Sequence, residues 1–223
     1  MNQEQALSLL KETKLVAILR GIPVKQATDI ATALYDGGVR VLEFTFDHDD
    51  PDCVAHNCQR IRAVKKIFGD AMVVGCGTAL TVQEVEASVE AGGQIVISPN
   101  VDVSVIAKTK ALGAISMPGA LTPTEIVTAY NAGADIVKLF PAGTLGVPYI
   151  KAVRGPLGYI PMSAVGGVRP ETIADFLNVG VCGFGVGGEL VKKEFVRSGD
   201  MNALTSRARK FVHAIEQWEA NRS

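Results

Sequence analysis

The chain has 223 residues, 48% of them apolar, and 22 Lys+Arg against 23 Asp+Glu leave a net charge of −1. That balance argues against nucleic acid as a main partner, and no apolar run is long enough to span a membrane. No Pro/Ser-rich linker, low-complexity tract or charge block divides the chain, so residues 1–223 are expected to form one domain.

Met1-Asn2-Gln3-Glu4-Gln5 lacks the basic start of a signal peptide. A cytoplasmic location is therefore expected; Cys53, Cys58, Cys76 and Cys182 form no C-x-x-C pair, and in a reducing cytosol they are expected to be free thiols. His56 and Cys58 lie close together, but further zinc ligands are lacking, and no metal site is assigned to them.

In chain order, β-branched runs occur at Leu15–Leu19, Val39–Phe44, Ala71–Val74, Gln94–Ser98, Ala114–Met117, Asp135–Leu139, Ile160–Ala164 and Val181–Val186. Stretches of helical period separate them. One of these opens at Thr122-Pro123, a capping Thr followed by a first-turn Pro. Crossovers end on glycine at Gly38, Gly92, Gly113, Gly133 and Gly180, where a left-handed cap returns the chain to the sheet. Eight strands alternating with helices predict a (β/α)8 TIM barrel, at the short end of that fold's range. A doubly wound sheet calls for a glycine fingerprint after the first strand, and Arg20-Gly21-Ile22-Pro23 is not one.

Active sites of such barrels lie at the C-terminal strand ends. Strand one ends in Arg20, strand two holds Glu43 and Thr45, and strand three leads into Gly75-Cys76-Gly77-Thr78. Strand four ends in Ser98-Pro99-Asn100, strand five in Pro118-Gly119, and strand six carries Lys138 in the apolar run Ile136-Val137-Lys138-Leu139-Phe140. An ammonium buried there loses its proton readily, and the neutral amine can condense with a ketone. Alternation puts Val41, Glu43 and Thr45 on one strand face, and Ile136, Lys138 and Phe140 on another. If both point inward, an amine and an acid/base share one chamber; a structural ion pair between Glu43 and Lys138 is the other reading. Gly166-Gly167 and Gly187-Gly188 follow strands seven and eight, where backbone N–H groups at helix starts can hold phosphate. The acidic run Asp47-His48-Asp49-Asp50-Pro51-Asp52 reads as a solvated loop in which Asp50 caps a helix whose first turn starts at Pro51. Magnesium binding is the alternative there. Trp218, Arg207, Arg209 and Lys210 read as packing and solvated face of a C-terminal amphipathic helix.

These motifs resemble the family of 2-keto-3-deoxy-6-phosphogluconate, 2-keto-3-deoxy-6-phosphogalactonate and 4-hydroxy-2-oxoglutarate aldolases, the class I pyruvate aldolases. The match runs from Leu15–Gly21 through Gly187-Gly188, and its most specific part is Lys138-Leu139-Phe140-Pro141 with Glu43. The resemblance implies that Lys138 forms a Schiff base, that Glu43 is the acid/base, and that Arg20 and Thr78 hold the substrate carboxylate. Thr45, Pro99, Phe140 and Val165 complete the implied substrate contacts, with phosphate at Gly166, Gly167, Gly187 and Gly188. It implies a homotrimer that acts on a small 2-keto-3-deoxy sugar acid, releases pyruvate and needs no cofactor.

Val165 and the segment Gly146–Val153 look more like the galactonate branch, since gluconate-type members usually carry Thr at the position of Val165. Two positions depart from the family pattern. Asp47 falls where many members carry a carboxylate-binding Arg, and Glu189 replaces a phosphate-binding Ser and is expected to begin a short helix. A sugar-phosphate epimerase or decarboxylase on the same barrel, and a non-catalytic phosphate-ligand sensor, are the alternative readings.

Overall fold

The computed structural model describes residues 1–222. Its strands are β1 (Leu15–Leu19), β2 (Val41–Thr45), β3 (Val73–Gly77), β4 (Ile95–Ile97), β5 (Ile115–Met117), β6 (Gly119–Ala120), β7 (Val137–Leu139), β8 (Met162–Val165) and β9 (Gly183–Val186). All pair in parallel, in the order β5-β4-β3-β2-β1-β9-β8-β7-β6. β5 and β6 are separated only by Pro118, which has no N–H to give the ladder. Its carbonyl still accepts from Lys138 N at 2.9 Å. The two pieces are therefore one barrel strand shared between neighbours, and the sheet closes into the expected (β/α)8 barrel.

The helices are α1 (Gln3–Thr13), α2 (Ala27–Asp36), α3 (Cys53–Phe68), α4 (Val82–Glu90) and α5 (Val103–Ala111), followed by α6 (Pro123–Asn131), α7 (Ala142–Leu157), α8 (Ile173–Asn178), α9 (Lys193–Ser198) and α10 (Met201–Ala220). Among the described residues none is long and apolar enough to cross a membrane. α6 begins as its sequence predicts: Thr122 Oγ1 accepts from Glu125 N, and the Glu125 carboxylate returns the bond to Thr122 N. The five crossover glycines have φ between 73° and 102°.

Strand alternation sorts the apolar side chains into two layers. Leu42, Phe44, Val137, Leu139, Phe184 and Val186 pack outward against the helices. Val16, Val41, Val73, Ile95, Ile136 and Val165 fill the barrel together with Ala6 and Leu10 of α1. The first helix thus plugs the N-terminal end of the barrel and leaves the C-terminal end as the open one.

Two local expectations are corrected. The third strand runs on through Gly75, Cys76 and Gly77 rather than stopping at Val74, because these glycines face close neighbours and do not mark a turn. The helix after the acidic loop starts at Cys53, not Pro51, with Asp52 in the cap position. The Asp50 carboxylate instead accepts from Asp52 N at 3.0 Å and meets His56 Nδ1 at 2.7 Å. His48 Nε2 likewise lies 2.7 Å from Glu84 Oε1. Among the described residues no group of three or more His, Cys, Asp or Glu side chains is placed to hold a metal ion.

Candidate active site

A cavity of about 420 Å³ opens at the C-terminal end of the barrel. Arg20 enters from the end of β1, Glu43 from β2, Thr78 from the residue after β3, and Pro99 from the loop after β4. Lys138 and Phe140 come from β7 and its exit, and Val165 from the last position of β8. Gly166, Gly167, Gly187 and Gly188 form the side beyond the C-terminal ends of β8 and β9. Thr45 is the one candidate outside this wall: it is buried, and its hydroxyl donates to the Leu19 carbonyl at 3.4 Å, tying β2 to β1. Ile18 and Gly185 belong to the wall too. Their inward alternation was legible, but apolar and glycine residues carry no chemical signal in a sequence.

Glu43 is 1% exposed and Lys138 7%. Their strands lie on opposite arcs of the barrel, and inward alternation brings both into the chamber. Among the described residues no ion pair joins them, so the structural salt-bridge reading has no contact to rest on. Burial drives the Glu43 carboxyl up to about 7, against smaller downward pulls from Lys138 and Arg20. Burial also pushes the Lys138 ammonium below its usual range; Glu43 opposes that shift and Arg20 adds to it. Glu43 Oε2 is buried without a hydrogen-bond partner, a costly state for a carboxylate oxygen that serves only structure. The Lys138 Nζ sits 5.0 Å from the centroid of the Phe140 ring, which forms one flank of the amine.

Two backbone features hold this arrangement. Gly77 lies so close to Glu43 that a Cβ on it would fall 1.3 Å from Oε2, so only glycine leaves the carboxylate in this position. Gly166 and Gly167 have φ of 90° and 73°, and a Cβ on Gly167 would lie 3.1 Å from Gly143 Cα. The loop therefore needs both glycines to turn past the start of α7.

The departures from the family pattern now have places. Asp47 lines a neighbouring cavity of about 450 Å³ with Lys193 and Arg197, and Arg20 stands between the two chambers, lining both. Glu189 does line the first cavity. It begins no helix, however: residues 187–191 form a turn in which Leu190 N and Val191 N donate to the Gly187 carbonyl at 2.9 and 2.8 Å. Arg207 is not part of a solvated face either. Its Nε donates to the Glu189 carbonyl at 2.8 Å and its terminal nitrogen to the Glu189 carboxylate at 3.4 Å.

A short (β/α)8 barrel with a lysine and a glutamate buried in its mouth is the layout of the class I aldolases that the sequence resembles. The profile of the KDPG and KHG aldolase family matches residues 7–207, and the chain belongs to that family. It is 37% identical over 182 residues to a protein of Rhizobium meliloti (strain 1021) named as a probable 2-dehydro-3-deoxy-6-phosphogalactonate aldolase, covering 81% of this chain and 83% of that one. Identity to the 2-dehydro-3-deoxy-6-phosphogalactonate aldolase of Escherichia coli (strain K12) is 35%, over 80% of this chain and 84% of the other. A solved protein described as "Native KDPGal structure" superposes with a TM-score of 0.83 at 33% identity, covering 92% of this chain and 96% of that one.

Proposed function

We propose that this chain is a carbon–carbon lyase that cleaves a 2-keto-3-deoxy sugar acid, 2-keto-3-deoxy-6-phosphogluconate or its galactonate epimer, to pyruvate and an aldehyde such as glyceraldehyde 3-phosphate. The observation that carries the reading is the burial of Lys138 with its proton affinity lowered, in one chamber with a carboxyl group held near neutrality. Neutral Lys138 attacks the C2 ketone, and loss of water leaves a protonated imine. Glu43, directly or through water, removes the C4 hydroxyl proton. The C3–C4 electron pair then moves into the imine, giving an enamine and the free aldehyde. Glu43 returns its proton to the enamine carbon, and hydrolysis of the new imine frees pyruvate and the lysine. The imine is the electron sink for the C3–C4 cleavage. Arg20 and Thr78 are assigned the carboxylate end, and the glycine loops the phosphate.

The galactonate epimer is favoured, because Val165 presents no hydrogen-bonding group to a C4 hydroxyl and two of the relatives carry that name. An epimerase or decarboxylase has no need of a desolvated lysine, and a ligand sensor has no need of an orphaned carboxylate beside it. Pyruvate release from a panel of 2-keto-3-deoxy acids, both epimers with and without the 6-phosphate, tests the reading. Turnover of the galactonate compounds above the gluconate ones supports it, and release from neither overturns it. The homotrimer is likewise proposed from the family resemblance; light scattering that returns a monomer mass at micromolar concentration contradicts it.

A further inference from the structure

Resting on the reading of the glycine loops as a phosphate station, we infer that Arg207, a residue outside the cavity, decides whether that station accepts a phosphorylated substrate. Glu189 directly follows Gly187-Gly188 and lines the same cavity, so a carboxylate free to turn to the loop would meet an approaching dianionic phosphate. Taken alone, that charge opposes binding. Among the described residues Glu189 pairs with Arg207 and with no other cation. The contact is a clamp rather than a chance surface pair. One guanidinium holds both the backbone carbonyl and the carboxylate of the same residue, and its side chain is 19% exposed against 43% for Glu189.

The clamp does two things. It cancels the Glu189 charge, and by gripping the carbonyl as well it keeps the carboxylate turned to α10 rather than free to swing across the loop. Arg207 itself packs over the Phe211 ring at 5.1 Å, and Phe211 is fully buried, so the cation is fixed to the core of the C-terminal helix. Arg207 is thus a positioning residue for phosphate recognition, acting through Glu189. It lies 18 residues from Glu189, on an element that contributes no residue to the cavity wall.

The experiment measures the Kd of inorganic phosphate by calorimetry on the full chain, for wild type, Arg207→Gln, Glu189→Gln and the double variant. It also measures the KM of the phosphorylated and unphosphorylated substrates. Arg207→Gln is expected to weaken phosphate binding about tenfold, the Coulomb penalty of one carboxylate about 6 Å from a dianion in water. The KM of the phosphorylated substrate should rise alongside it, and that of the unphosphorylated one much less. Glu189→Gln/Arg207→Gln should return to the affinity of Glu189→Gln within about twofold, because the charge to be cancelled is gone. Phosphate binding unchanged in Arg207→Gln, a double variant as weak as Arg207→Gln, or no phosphate binding by wild type overturns the inference. A general packing defect is recognised by equal losses on both substrates, and that outcome also counts against it. Borohydride trapping of pyruvate on the same proteins reads the aldolase chemistry separately. Loss of the adduct in wild type defeats the aldolase reading, while the phosphate titration still decides this one.

Discussion

A methyl group on Gly77 would lie 1.3 Å from Oε2 of Glu43. The acid/base assigned to the site thus owes its position to a missing side chain on the adjacent strand. Gly77→Ala must shift the carboxylate from its present position. It is expected to lower the rate of pyruvate release by about 10² or more, the range for losing a general acid/base. Circular dichroism on the same protein should still show a folded barrel. Wild-type turnover in the folded variant contradicts the assignment of Glu43.

Thr78 occupies the left-handed region at φ 57°, a conformation that costs a β-branched residue about 1–3 kcal/mol. Its neighbour Gly77 lies under the carboxylate, and Thr78 itself lines the cavity, so the strain is placed at the candidate site. Thr78→Gly should leave the Tm equal to or above wild type, the relieved strain offsetting the lost side chain and the added chain entropy. The KM for substrate should rise as the hydroxyl disappears. A loss of stability above about 1 kcal/mol, seen in denaturant titration, shows that the residue serves the fold instead.

The Glu43 carboxyl, moved from an unfolded value of 4.5 up to about 7, makes a pH-dependent contribution to stability. Between those two values the folded chain holds a proton that the unfolded chain has released. Stability therefore falls as pH rises through this window, and the full cost, on the order of 3 kcal/mol, is present above 7. Glu43→Gln removes the ionisable group, so its Tm should match wild type near pH 4 and exceed it increasingly up to about pH 8. Wild type is expected to show a rise in kcat/KM as pH passes about 7, and the same variant should lose that rise and slow turnover by about 10²–10⁴. A Tm difference that does not change with pH contradicts the assigned burial cost.

Much of the barrel was legible because its strands are short β-branched runs punctuated by glycine. Leu15–Leu19 is recovered residue for residue, and inward alternation put Glu43 and Lys138 in one chamber. What was not legible depended on contacts distant in sequence. The β-branched run ends at Val74, yet Gly75 and Gly77 lie inside the strand. The space of a Gly75 Cβ belongs to the Ile95 carbonyl, and that of Gly77 to Glu43. Thr45 shares the inward face by pattern but is spent on a bond to Leu19. Glu189 follows a glycine pair as a helix start does, and nothing periodic in α10 marks Arg207 as its partner. The N-terminal plug by Ala6 and Leu10 was missed as well, since an amphipathic first helix packs as readily on the outside of a barrel as across its end.

The central claim is that Lys138 carries the reaction as an imine, and reductive trapping tests it most directly. Incubation with pyruvate and borohydride, followed by peptide mass spectrometry, should place the reduced adduct on Lys138, and Lys138→Ala should neither form the adduct nor release pyruvate. An adduct on another lysine, or a Lys138→Ala chain with full activity, contradicts the account.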